Sequence, residues 1–163
     1  MNAPPSRLIG GGWRLALSGL AAWAALGGVA TAQTRVTLRV NPTSITFPTA
    51  DPDVAPVVTA PALDIRYQVR NNGGQGWRIT VLASGDLNAG VSVIDIGNIS
   101  WTATPTPPFQ AGTLSKTLEQ TVASGFGNVQ QPQMGTLLLQ LNNLWSYSIG
   151  VYTQNIVFTL SAP

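Results

Sequence analysis

The sequence predicts an all-β fold, an antiparallel immunoglobulin-like β-sandwich of about seven to nine strands preceded by a cleaved N-terminal signal helix. Three observations carry that expectation. Apolar and polar residues alternate with period two in a series of short runs. Clusters of Gly, Asn and Pro interrupt those runs roughly every ten residues. No long segment after the N-terminal stretch has the spacing of an amphipathic helix.

The N-terminal stretch is of a different kind. Arg7 and Arg14 mark a basic start, residues 15–30 are a Leu-, Ala- and Gly-rich apolar run, and Ala30-Thr31-Ala32 places small residues at both ends of a cleavage tripeptide. The run is shorter than the roughly 20 residues a bilayer span requires. Residues 1–32 are therefore expected to be a signal peptide, and 33–163 a single secreted domain that meets a membrane only through the signal segment before cleavage.

Val36, Leu38 and Val40 alternate with Thr37 and Arg39 as a first strand, and after Asn41-Pro42 the alternation resumes at Ile45 and Phe47. Residues 50–61 carry Pro52, Pro56 and Pro61 beside Asp51 and Asp53, an irregular connection or edge segment in which proline removes no ladder hydrogen bond. Leu63, Ile65, Tyr67 and Val69 then alternate with polar neighbours up to Asn71-Asn72-Gly73-Gly74-Gln75-Gly76, and Trp77, Ile79 and Val81 follow. That pattern reads as a β-hairpin with one buried and one wet face. Its glycines suit turn geometry, and no helix follows them as a phosphate-binding loop would require.

Val91, Val93 and Ile94 lead through Gly97-Asn98, a turn or bulge, to Ile99 and Trp101, and the Pro-rich stretch 104–108 ends the group. Residues 113–123 read two ways. Leu114, Leu118 and Val122 have helical spacing, whereas the Thr-rich composition and the Gly125-Phe126-Gly127 that follows favour strand, which is preferred. Residues 135–141 form another strand, Asn142-Asn143 a turn, and Tyr152, Ile156, Phe158 and Leu160 mark the last strand.

Histidine and cysteine are absent, which removes the commonest general base, the commonest soft metal ligands and any disulfide. An enzyme would be left with a carboxylate pair, and the acids available stand where turns and strand ends use them. Neither an enzyme nor a cofactor is expected. Asp51-Pro52-Asp53 lacks the spaced ligands of a calcium loop, so a metal site is not expected either.

After residue 32, Arg35, Arg39, Arg66, Arg70, Arg78 and Lys116 balance Asp51, Asp53, Asp64, Asp86, Asp95 and Glu119. With no net charge the domain lacks the usual warrant for binding nucleic acid. The tryptophans serve as core or as flat platforms for sugars and partner side chains. Trp77 and Trp101 lie in phase with apolar neighbours and read as core, while Trp145, beside Asn142-Asn143 and Ser146, suits either role. Phe109 and Phe126, in Pro- and Gly-rich surroundings, read as exposed aromatic contacts.

The segment Gly73-Gly74-Gln75-Gly76-Trp77-Arg78-Ile79-Thr80-Val81 resembles the first Trp-x-Leu segment of the WxL surface domains. The stretch from Tyr152 to Pro163, with Phe158-Thr159-Leu160 inside it, resembles that family's closing segment. Ile79 occupies the first leucine position and Phe158 the second tryptophan position, replacements that broadly conserve volume. The resemblance implies an exported β-rich module that attaches non-covalently to the bacterial cell wall without catalysis. Its partners would be a cell-wall polymer or other surface proteins. Trp77, Ile79, Phe158 and Leu160, together with Trp145, are then the candidate contacts.

A second resemblance is to fimbrial and spore-coat-U-like subunits, through Gly150-Val151-Tyr152 ahead of the last strand. It implies self-association by strand addition, with Val36, Leu38 and Val40 as the candidate donor strand. The other reading of those residues is a strand paired within its own domain.

Overall fold

The computed structural model describes residues 34–70 and 74–163. The signal-peptide segment and the expected turn at Asn71-Asn72-Gly73 lie outside the described residues.

The fold is all-β with antiparallel sheets. Seven longer strands are β1 (Arg35–Asn41), β3 (Leu63–Arg70), β4 (Gly76–Ala83), β7 (Ile99–Thr104), β9 (Gln120–Phe126), β10 (Val129–Asn142) and β11 (Ile156–Ser161). Four short ones are β2 (Val57–Thr59), β5 (Leu87–Ala89), β6 (Ser92–Ile94) and β8 (Gly112–Thr113), and among the described residues one 3-10 turn spans Ile96–Asn98. One sheet runs β1-β3-β10-β7-β8, with β2 pairing the end of β10; a second runs β11-β4-β9; β5 and β6 form a small two-stranded ladder.

Period-two patterning explains the faces. In β3, Leu63, Ile65, Tyr67 and Val69 are buried while Arg66 and Arg70 are exposed, because successive side chains of a strand point to opposite sides. Leu137 and Leu139 of β10 and Ile99 and Trp101 of β7 continue that buried face across the sheet. Trp77, Ile79, Val81 and Val122 supply the opposing face from β4 and β9. Both sets belong to one hydrophobic core. The Tyr67 ring of the first sheet lies 4.8 Å, centroid to centroid, from the Trp77 ring of the second, and presents an edge to Phe109 at 5.8 Å. The arrangement is sandwich-like.

The expected hairpin between β3 and β4 does not exist. Each strand has the predicted alternation, but β3 pairs with β1 and β10 while β4 pairs with β11 and β9. The chain crosses between sheets at that point. Alternation fixes which side of a strand is buried, and two strands whose buried sides face one another satisfy it as well as two neighbours in a ladder do. Thr80, expected on the wet face of β4, is buried. Its hydroxyl donates to Glu119 Oε2 at 3.0 Å, and the register shift at this point places the extra residue, Val122, in β9, so that β4 itself keeps its alternation.

Three further readings are corrected. Ile45 and Phe47 pack against the core, yet residues 44–50 form no strand. Tyr152 precedes the last strand and makes its own bond, hydroxyl to Ser148 carbonyl at 2.9 Å. Phe109 is no surface contact: it is 1 % exposed, with Gly135 of β10 beneath its ring, where a β-carbon would collide with the ring atoms.

The two lateral seams between the sheets differ. On one, the segment after β7 laces the sheets together: Gln110 N–H donates to Val122 O at 2.9 Å, and Leu114 N–H to Ile99 O at 2.9 Å. β8 pairs with β7 next to these bonds. The other seam lies between β1 and β11, which come within 8 Å of each other but pair only with β3 and β4 among the described strands.

Candidate functional site

The structure separates the candidate contacts by exposure. Trp77 is 5 % exposed and Ile79 0 %, so both are core residues without surface to offer a ligand. Phe158 and Leu160 are half-buried on the inward side of β11, where Phe158 pairs with Val81 and Leu160 with Ile79. The two family-like segments are thus neighbours in one ladder, packed into the interior. Burial removes Trp77 and Ile79 from the contact set because a ligand would have to open the sheets to reach them.

The proposed donor strand is likewise engaged. Val36, Leu38 and Val40 pair with Val69, Tyr67 and Ile65 of the same chain. As described, β1 completes its own sheet.

Trp145 differs. It is 68 % exposed, and its indole Nε1 donates to Asp53 Oδ1 at 2.9 Å. The anchor is itself built. Asp51 Oδ1 accepts from the backbone N–H of Asp53 at 2.9 Å, and Asp51 O accepts from the N–H groups of Val54 and Ala55 at 3.0 and 2.8 Å. Short acidic side chains close turns in this way. Asn143 then fastens the loop to the end of β10: its Nδ2 donates to Ala50 O at 3.0 Å and Ala55 O at 3.1 Å, and its N–H to Pro56 O at 2.8 Å.

The result is an aromatic plate whose edge is fixed and whose faces are largely open. Leu144 and Val54, from the same two loops, and Val57, the first residue of β2, are also exposed. Asp51 and Asp53, weighed from sequence as calcium ligands, shape this loop. Among the described residues no group of three or more His, Cys, Asp or Glu side chains is arranged to hold a metal ion.

Sequence reasoning singled out Trp145 but missed Asp53 and Asn143 as its supports. The cue was the Asx-rich composition of both loops; their pairing joins residues 92 positions apart in the chain. Phe126, at 85 % exposure as the last residue of β9, is a second open aromatic ring, and its edge rests near Gly76.

Electrostatics add one other local feature. Lys116 forms an ion pair with Asp86. That hydrogen bond, followed by one from Ile96 N–H, holds the Asp86 carboxyl below its ordinary range, and the same bond holds the Lys116 ammonium above its own. The pair ties the segment before β9 to the loop entering β5. Burial raises the phenol pKa values of Tyr67 and Tyr147, with Asp95 adding to the latter.

No family model and no curated protein sequence matches this chain.

Proposed function

We propose that the chain is a non-catalytic, secreted surface module with an immunoglobulin-like sandwich fold of WxL-like kind. It attaches to a cell-wall polymer or to neighbouring surface proteins at the bacterial surface. The observation that carries this reading is the Trp145 plate: a large ring held in place by Asp53 while 68 % exposed. Leaving such a ring in water forgoes roughly 1.5–3 kcal/mol of burial, which contact with the apolar face of a sugar ring or a partner side chain recovers. Because the indole is already oriented, less conformational entropy is lost on binding.

The test is sedimentation of the purified chain with isolated cell walls. The parent protein is expected in the pellet at low and moderate salt, and Trp145→Ala largely in the supernatant. Recovery of both wholly in the supernatant would count against wall attachment.

One observation favours a second reading, a pilin-like or coat subunit that assembles by strand addition. At the β1–β11 seam the inward side chains Leu38, Val40, Ile156, Phe158 and Leu160 are only half-buried, and Val36 is 40 % exposed. Size exclusion with and without residues 33–41 separates the readings. Loss of multimers with a folded monomer remaining supports strand exchange, whereas unfolding of the truncated chain assigns β1 to its own sheet.

A further inference from the structure

The domain's balanced net charge conceals an uneven distribution. In the β1–β3 ladder Arg35 stands directly opposite Arg70, and Arg39 directly opposite Arg66, with Thr37 opposite Gln68 between them. All four arginines are exposed, and their positions alternate with the inward Val36, Leu38, Ile65, Tyr67 and Val69. One outward face therefore carries four of the six cations that follow residue 32.

Like charges placed opposite each other across a ladder destabilise it. None of the four arginines forms an ion pair among the described residues. Among the described residues the only ion pair is Lys116–Asp86, far from this ladder in sequence. Asp64, the acid on the same face, stands opposite Asn41 and accepts from Thr136 Oγ1 at 2.8 Å. Arg35, Thr37, Gln68 and Arg70 line a surface depression of about 250 Å³, and Arg70 also borders a second of about 330 Å³ with Asn128 and Gln130.

We propose that this face binds a linear polymer carrying phosphate groups along its length. Each opposed arginine pair offers two planar guanidinium forks across roughly 5 Å. An internal phosphate of such a polymer holds its two non-bridging oxygens on a tetrahedral centre and can offer one to each fork, whereas the two coplanar oxygens of a carboxylate match the geometry of a single fork. The two pairs lie about 13 Å apart along the strands, so a small ion meets one pair and an extended polymer meets both. The outward positions of β1 and β3 carry no aromatic ring on which a nucleobase could stack. This site is independent of the Trp145 plate, and the variants below leave that plate untouched.

The probe is long-chain inorganic polyphosphate, with binding to the purified chain measured by calorimetry between about 50 and 200 mM salt. Polyphosphate is expected to bind, with a log–log salt slope of roughly −3 to −4, since each neutralised phosphate releases close to one counterion. Arg35→Gln with Arg70→Gln, or Arg39→Gln with Arg66→Gln, should weaken binding tenfold or more and make the slope shallower by about two. Arg78→Gln, on the other sheet, should change neither. The Arg→Lys versions of each pair keep the charge and should retain the slope while binding several-fold more weakly.

Absence of polyphosphate binding at low salt would overturn the proposal, as would undiminished binding in both Gln double variants. Orthophosphate binding as tightly as the polymer would also overturn it. So would tighter binding of polygalacturonate, phosphatidylglycerol vesicles or oligothymidine. Should a Gln variant fail to fold, the wild-type slope and the Lys variants still decide, and a flat salt dependence refutes the proposal.

Discussion

The Trp145 indole donates to the Asp53 carboxylate at 2.9 Å, joining the loop after β10 to the loop before β2. Asp53→Ala should therefore free the ring without unsettling the core. Its cost in stability is expected to stay within about 1 kcal/mol, as for other exposed hydrogen bonds. The rotational freedom of Trp145 should rise, seen as lower fluorescence anisotropy in a background where Trp13, Trp23, Trp77 and Trp101 are replaced by phenylalanine, and wall retention should fall several-fold. Unchanged retention would mean that the plate's orientation is irrelevant to attachment.

Phe109 seats its ring on Gly135, and Gly135→Ala forces a methyl group into it. Overpacking of this kind should cost about 1–3 kcal/mol in chemical denaturation. Combining it with Phe109→Leu makes room for the methyl group, so the double variant should be less destabilised than the sum of the single changes. Simple additivity would show that the two residues do not press on each other.

The two core tryptophans should respond differently to phenylalanine. Trp101 Nε1 donates to Gln110 O at 2.8 Å, whereas Trp77 Nε1 is buried with no hydrogen-bond partner among the described residues. Trp101→Phe strands a carbonyl, and Trp77→Phe removes an unsatisfied donor. The former is expected to be the costlier change by about 1 kcal/mol, and equal or inverted denaturation midpoints would contradict this account.

Asp86 and Lys116 give stability a defined pH window. The lowered Asp86 pKa contributes stability that is present above the unfolded carboxylate value, about 3.9, and is lost as pH falls through the folded value. The raised Lys116 pKa contributes stability that is present below the unfolded ammonium value, about 10.4, and is lost as pH rises through the folded value. Lys116→Met should be destabilised relative to the parent by a small, constant amount between those limits, and the two proteins should converge in acid and in strong base. Thermal melts across the pH range test this, and added salt should narrow the difference.

Much of the fold was legible because period-two alternation is a local signal. Leu63 to Val69 and Ile156 to Leu160 declare their buried sides within a few residues. Pairing was not legible. Nothing near Trp77 indicates that β4 leaves β3 for β11, since partner choice depends on residues some 80 positions away. Phe109 was misread because its proline neighbours suggest a surface loop, while Gly135, which accepts its ring, lies in another strand. The site divides in the same way. The polarity around Trp145 hinted at exposure, but its anchor came from a distant loop. The arginine rows needed the β1–β3 register before Arg35 met Arg70. A sum of charges carries no geometry.

The unlaced seam also governs how the domain bears load. Its bordering strands, β1 and β11, are the first and last of the described chain and lie at the edges of their respective sheets. Tension applied at those two strands would reach the β1–β3 and β11–β4 ladders before it reached β10, the shared neighbour of β2, β3 and β7. Under traction, yielding would therefore begin with the peripheral strands, and the deep interior would be the last part to part company.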